Sequence, residues 1–235
     1  NGAPADYKVS NSKVKTWRRC RYAYHLKYVE RLEKKRVSRP LQFGRLVHSM
    51  IEFHAEGKDP MSVINTLSVE DMKLFRAEKE EYGDLLADVR CIMTEYFAFH
   101  GDDSLVALRV NGRYAEHEFN VEIAPGIILN GKIDMIARTP NKLRWLVEHK
   151  SFNHLPSEDE RWRNTQSIVY FKAMDFLGWR PVDGVCWDYI HSKSPAWPPL
   201  LKNGTMTRKA MITLPTRVRE AIVKHELKER DYRDV

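Results

Sequence analysis

Alternation between polar and apolar side chains predicts a set of strands in the middle of the chain. Residues 113–123 alternate with a period of two, the pattern of a strand with one buried face. After a turn at Pro125-Gly126, residues 127–138 and 143–150 predict two further strands, so we expect an antiparallel meander. Residues 184–191 predict a last, buried strand. A helical crossover reaches it, so it should run parallel to an earlier strand.

Helices are predicted before and after these strands. One begins near Pro40 with Ser38 as its cap, and its expected apolar face consists of Leu41, Val47 and Ile51. The other predicted elements are one or two helices in residues 61–100, a helix with a capping box over 157–178, a loop over 194–201, a short strand over 210–214 and a helix from 216. This order predicts an α/β fold with a helical N-terminal region.

The first 39 residues are predicted to be a basic helical segment. They hold 12 Lys or Arg and three acids, a local balance of +9 within a net charge of +7. We infer a polyanionic partner such as nucleic acid; a solvated helix face is the alternative. Five residues recur at helical spacing and predict a face buried in the core rather than a base-stacking surface: Val14, Trp17, Cys20, Tyr24 and Tyr28.

The composition limits the class of protein. A hydrophobic content of 43% over 235 residues is enough for a packed core, and we expect one domain: a helical part over 1–100, a sheet over 110–192 and a C-terminal part over 193–235. No apolar run is long enough for a membrane helix. Three dispersed cysteines and no signal-peptide pattern favour the cytoplasm. Without an initiator Met, the chain is expected to be a piece of a longer protein.

Three charged residues stand within the apolar strands. Asp134 lies in the second strand of the meander, and Glu148 and Lys150 are two apart in the third, so they share a face. Two carboxylates can hold a hard cation such as Mg²⁺ or Mn²⁺, and an ammonium group beside them can orient an attacking water. A surface Asp with an unrelated Glu-x-Lys pair is the alternative.

Further polar pairs lie on the flanking helices. Gln166 and Tyr170 are four residues apart and share a helix face, and Gly44 and His48 have the same spacing upstream. The ordered set Gly-x-x-x-His, Gly-x-x-Asp, Glu-x-Lys and Gln-x-x-x-Tyr resembles the RecB-type branch of the PD-(D/E)XK nucleases. That branch includes the nuclease domains of recombination helicases, CRISPR-adaptation nucleases and phage exonucleases. The resemblance implies a restriction-endonuclease-like mixed central sheet flanked by helices.

The resemblance also implies roles for single residues. His48, Asp134 and Glu148 would be metal ligands, helped by the main-chain carbonyl of His149, and Lys150 would serve the attacking water. Gln166 and Tyr170 would position DNA or support the site. The roles of two further acids do not follow from the motifs. Glu118 either supports the site or is an exposed strand residue, and we interpret Glu52 as structural.

The segment around Cys20 resembles the iron–sulfur members of this branch. In those proteins one N-terminal Cys and three C-terminal Cys hold a [4Fe–4S] cluster. No C-terminal Cys triplet follows here, so a cluster would need a longer native chain, or Cys20 is a core residue.

We therefore predict a Mg²⁺- or Mn²⁺-dependent deoxyribonuclease. Its preferred mode is exonuclease action on single strands or DNA ends, with contacts to the backbone that do not read sequence. Two alternatives remain: an inactive DNA-binding module of the same fold, and an endonuclease of a CRISPR or restriction system. Polarity of digestion and oligomeric state stay open.

Overall fold

The computed structural model describes residues 7–33, 38–67, 76, 84–101, 105–193, 195–209 and 211–232. The chain forms two compact units. The first comprises Asn1–Thr66 and Asp103–Ile190, and the second Leu67–Asp102 and His191–Val235. That the whole chain acts as one nuclease domain stays a prediction.

The first unit is built on a six-stranded mixed sheet, which confirms the predicted fold class. Its antiparallel meander is β3, β4 and β5, as the alternation predicted. A strand that the sequence did not predict, β1, pairs in parallel with the start of β4. The strands are β1 (Tyr7–Val9), β2 (Val106–Ala107), β3 (Ala115–Ala124), β4 (Ile127–Arg138), β5 (Arg144–Phe152) and β6 (Gly184–His191). The neighbour of β6 is β5; that β6 runs parallel to an earlier strand stays a prediction.

The central strand β4 has a gap along one edge. β3 and β2 pair with one edge of β4, because Leu129, Met135 and Ala137 each have partners on both sides. On the other edge, β1 ends opposite Leu129 and β5 begins opposite Met135. Among the described residues, no strand pairs with 130–134 on that edge. At this gap, side chains instead of a neighbouring strand can make contacts with the β4 residues around Asp134.

Helices pack against the sheet and bury its apolar side chains together with their own. α3 turns its buried side toward the sheet, and α7 adds Tyr170, Ala173 and Met174 to a core with Phe119 and Ile133. The described helices are α1 (Asn11–Arg19), α2 (Arg21–Tyr24), a π-helix (His25–Val29), α3 (Arg39–Ala55), α4 (Ser62–Asn65), α5 (Leu85–His100), α6 (Glu158–Trp162), α7 (Thr165–Phe176), α8 (Pro215–Lys224) and a 3₁₀ turn (Glu229–Tyr232). None of the helices in the described ranges is both long and apolar enough to span a bilayer.

The predicted continuous N-terminal helix is wrong. Cys20 is extended (φ −162°, ψ 113°), and its Sγ accepts a hydrogen bond from the N–H of Ala23, so it caps α2 instead of continuing α1. The break turns the expected face outward: Trp17 is 47% exposed and stacks edge-on with Tyr24, which in turn contacts Tyr28. The aromatic residues therefore form a surface cluster, and the prediction that they belong to the core is wrong.

Other helix predictions hold in part. The apolar face of α3 includes Val47 and Ile51, but Leu41 is 65% exposed. Ser38 occupies the cap position without a side-chain hydrogen bond. The predicted helix over 157–178 is two helices: the capping box of Ser157 starts α6, and Asn164 caps α7.

The second unit has its own small core. Met206 and Tyr232 pack against α8, and the main-chain N–H of Met206 donates to the Tyr232 hydroxyl over 2.9 Å. α8 begins at Pro215, one residue before the predicted start at 216, and Pro is tolerated in the first turn of a helix. No strand is formed over 211–214, so that prediction is wrong for these residues, and residue 210 lies outside the described part. Part of the predicted helical region 61–100 also lies outside it; α5 is confirmed.

Candidate active site

Asp134 lies where the β4–β5 ladder ends. The last strand pair is Met135 with Val147, and beyond it the main-chain N–H of His149 donates to Oδ2 of Asp134 over 2.9 Å. A carboxylate thus takes the hydrogen bond that a strand partner would otherwise accept. Asp134 is buried, and this contact fixes its side chain at the gap in the sheet.

His48 reaches this point from α3. The helix is anchored by buried Phe43, Leu46 and Val47, which leaves the half-buried His48 directed at the sheet. Its Nδ1 lies 3.0 Å from Oε1 of Glu116 and 3.8 Å from Oδ1 of Asp134. The structure therefore brings together the helix-borne imidazole and the strand-borne acid that the sequence singled out.

Glu116 completes this cluster, and the sequence reasoning did not assign it. One ligand atom from each of His48, Glu116 and Asp134 lies within 4.8 Å of the other two. Glu116 stands opposite Asp134, between the pairs Ala115–Met135 and His117–Ile133, and has φ +54°. A glutamate rarely adopts this left-handed backbone, which concentrates local strain at the site. Counting residues outward from the Pro125-Gly126 turn pairs Asp134 with His117. A register shift between Glu122 and Ala124 brings Glu116 opposite Asp134 instead, so the sequence pattern does not place it there.

Glu148 is fully buried beside this cluster. Its Oε2 lies 2.7 Å from Nζ of Lys150, and its buried Oε1 has no hydrogen-bond partner among the residues that the structure describes. Burial and the charge of Asp134 raise the pKa of Glu148 to about 7, against the opposing effect of Lys150. Burial disfavours the charged form of this carboxylate, so a cation bound beside it would stabilise that form.

Lys150 is held by a chain of hydrogen bonds to α7. Its Nζ donates to Oε1 of Gln166 over 3.1 Å, and Nε2 of Gln166 donates to the hydroxyl of Tyr170 over 2.8 Å. The Tyr170 hydroxyl donates to the main-chain oxygen of Lys132 over 2.6 Å. Burial raises the pKa of Tyr170, so its hydroxyl stays protonated and acts as a donor. Gln166 and Tyr170 share a helix face, as their spacing predicted.

The cluster suits a divalent cation. One imidazole and two carboxylates are the donor types that hard or borderline cations accept. Burial lowers the pKa of His48, but its hydrogen bond to Glu116 and the charge of Asp134 outweigh that effect and raise it. Glu148 adds the unpartnered Oε1. The residues present therefore fit a metal ion.

The profile of the PD-(D/E)XK nuclease superfamily matches residues 8–230. The chain belongs to this superfamily. A search of curated proteins finds no match. Membership makes the chain a nuclease, a class of hydrolase that uses divalent metals, and the acidic cluster around His48 suggests where the metal binds.

The remaining polar candidates of the nuclease lie around this centre. Glu118 is 63% exposed and contacts Nζ of Lys132, which also contacts Glu116. Glu52 forms an ion pair with Arg113, the structural role expected for it. The imidazole of His149 pairs with Asp188 over 2.9 Å.

The residues of the nuclease do not fit an iron–sulfur cluster. Cys20 is exposed, and its sulfur accepts the hydrogen bond that caps α2. The other two cysteines belong to α5 and β6 and form no disulfide. A [4Fe–4S] cluster takes four thiolates, so this chain gives no support for one.

Proposed function

We propose that this nuclease hydrolyses DNA phosphodiester bonds with Mg²⁺ or Mn²⁺ held at His48, Asp134 and Glu148, and that Glu116 belongs to the same ligand set. The observation that carries the proposal is the convergence of His48, Glu116 and Asp134 within 4.8 Å. Lys150 beside them supplies the ammonium group of the Glu-x-Lys pair. Oxygen-rich sites of this kind favour hard cations.

Each residue then has a chemical task. A divalent cation held by these residues would polarise a phosphoryl oxygen and make hydroxide accessible near neutral pH. Lys150 orients the attacking water and offsets charge that grows on the phosphate. Gln166 holds the Lys150 ammonium in place, and Tyr170 fixes the amide of Gln166 against the main chain of β4.

We further propose that the substrate is held through its backbone and cut from an end. Support comes from the basic N-terminal segment, whose net charge of +9 over 39 residues complements a polyanion. Contacts to phosphates position a strand without reading sequence. Exonuclease action on single strands rests on the order of motifs that the chain shares with the RecB-type branch.

Two experiments test these statements. Purified protein is titrated with Mg²⁺ and Mn²⁺ on an end-labelled single strand, in parallel with Asp134→Ala and the matched control Glu118→Ala. We expect metal-dependent cleavage that Asp134→Ala abolishes and Glu118→Ala retains. Cleavage by Asp134→Ala would remove the site assignment, and binding without cleavage by the parent would favour the inactive module. Covalently closed single-stranded circles distinguish the modes, because only an endonuclease cuts them.

A further inference from the structure

A cavity of about 500 Å³ opens next to Lys150 in the first unit. Its walls come from α1, the end of β5 and the loop after it, α6, the start of α7, and β6. Lys150 and Gln166 form part of the lining, so the cavity is continuous with the reaction centre. Its volume lies in the roughly 300–1,000 Å³ range of sites that hold small molecules.

The charged residues of this cavity are mostly cations. Lys15 and Arg161 line it, and neither has an ion pair or a side-chain hydrogen bond within the described residues. The only acid in the lining, Glu160, is engaged in the capping box with Ser157. Two cations without partners thus face a space that also receives the ammonium group of Lys150.

Lys15 is directed into the cavity by the way α1 is attached. The Thr165 hydroxyl at the start of α7 donates to Oδ1 of Asn11 over 3.2 Å, and Asn11 is four residues before Lys15 on the same helix face. Burial and the charge of Lys150 lower the pKa of Lys15, while Glu148 opposes the shift. Lys15 and Lys150 line the same cavity, so the Lys15 ammonium lies near the Glu-x-Lys pair.

One wall of the cavity is aromatic. Tyr189 on β6 is half-buried, and its ring packs edge-to-face against Phe152 with centroids 5.8 Å apart. Both rings belong to the lining. An aromatic surface beside cations is the combination that binds bases and phosphates of a single strand.

We propose that this cavity binds the nucleotide next to the scissile phosphate of a single-stranded nucleic acid. Lys15 and Arg161 contact its backbone phosphate, and Tyr189 contacts its base. The proposal rests on the proposed nuclease function and adds a substrate subsite to it. A duplex would have to unpair for one nucleotide to enter, so the subsite favours single strands and frayed ends.

The test measures binding apart from cleavage. Asp134→Asn protein in EDTA is titrated with a short fluorescein-labelled oligothymidylate, and anisotropy is recorded over a range of salt concentrations. Removing one phosphate contact lowers the slope of log K against log salt by about 0.7 for a single strand. We expect that loss, with severalfold weaker binding, for Lys15→Gln, and recovery for Lys15→Arg. Lys172→Gln is the matched control, because Lys172 lies on α7, outside the basic N-terminal segment, and does not line the cavity.

A second variant tests the aromatic wall. Tyr189→Leu should weaken binding roughly tenfold, whereas Tyr189→Phe should retain it, because stacking needs the ring and not the hydroxyl. Lys15→Gln binding with the parent slope, or equal losses for Lys15→Gln and Lys172→Gln, would overturn the subsite. If the parent protein cleaves nothing but these binding differences hold, the proposed function fails and the subsite stands as a binding site.

Discussion

The ammonium group of Lys150 donates to the side-chain oxygen of Gln166 over 3.1 Å, across the space between β5 and α7. Because the amide of Gln166 also donates to Tyr170, its orientation is fixed and its oxygen is the atom that faces Lys150. Two helix residues without charge, together with Glu148, thus fix where the ammonium group points. Their contribution is one of geometry.

Removing the acceptor should slow the reaction without weakening substrate binding. For Gln166→Met we expect kcat on single-stranded DNA to fall by about one to two orders of magnitude with little change in KM, because misplacement of a catalytic group by about 1 Å has effects of this size. Tyr170→Phe, which retains the ring, should give a smaller loss. Steady-state kinetics provide the measurement, and Lys172→Gln on an exposed part of α7 is the control. A rise in KM alone would show that Gln166 binds substrate instead.

Glu116 and Glu118 offer a matched pair of acids on β3. Both contact Lys132, but only Glu116 lies within reach of His48 and Asp134. We expect Glu116→Gln to weaken Mn²⁺ binding by about 10- to 100-fold, the usual effect of losing a ligand or a residue that orients one. Glu118→Gln should bind Mn²⁺ like the parent. Isothermal titration with Mn²⁺ measures both, and equal affinities for the two variants would exclude Glu116 from the metal site.

The buried Glu148 should make the metal-free protein sensitive to pH. Its pKa is raised from 4.5 to about 7, so the folded state binds the proton more tightly than the unfolded chain. Stability is therefore lost as pH rises from about 4.5 to 7, by about 3 kcal/mol for this shift. Urea unfolding in EDTA at pH 5 and pH 8 should show the loss in the parent.

In Glu148→Gln this part of the pH dependence should disappear, because the amide does not titrate. From pH 5 to pH 8, the free energy of unfolding of the variant should therefore fall by about 3 kcal/mol less than that of the parent. Parallel pH profiles for parent and variant would contradict a strained, buried acid at this position. Added Mn²⁺ should reduce the difference, since a cation stabilises the charged form.

Substitution by alanine is predicted to have different effects on stability at Gly131 and at Gly44. A Cβ on Gly131 would lie 2.6 Å from Cζ of Phe119, which is buried directly across the strand pair. Gly131→Ala should therefore lower the free energy of unfolding by about 1–3 kcal/mol. In α3, a Cβ on Gly44 would meet only Oγ of Ser151 at 3.4 Å, so Gly44→Ala should be neutral or stabilising by up to about 1 kcal/mol. Thermal unfolding of both variants is the measurement, and equal effects would contradict the close approach at Phe119.

The strands were predictable because turn residues bound their apolar runs. β4 and β6 have the bounds that the sequence predicts, and the alternation in β3 correctly places Ala115 and Phe119 inside. β1 was not predicted because three residues are too few to show an alternation of polar and apolar side chains. Its position also depends on a parallel partner strand more than a hundred residues away.

The chemistry of the site was predictable where spacing is local. Glu148 with Lys150, and Gln166 with Tyr170, follow from strand and helix periods. Glu116 depends on the hairpin register and on a backbone conformation that no pattern signals. The break at Cys20 was missed for a similar reason. A side chain that accepts a main-chain hydrogen bond can interrupt a helix, and the spacing of apolar residues does not reveal this.

The meander from Ala115 to Phe152 is one uninterrupted stretch of 38 residues. It carries all three carboxylates of the site and the lysine, joined by two tight turns, and the imidazole alone of the ligand set arrives from a distant helix. The negative charge of the centre is therefore assembled by contacts close along the sequence, whose closure costs little entropy. The metal site is complete only when α3 packs against the sheet and adds His48, so it depends on one long-range contact.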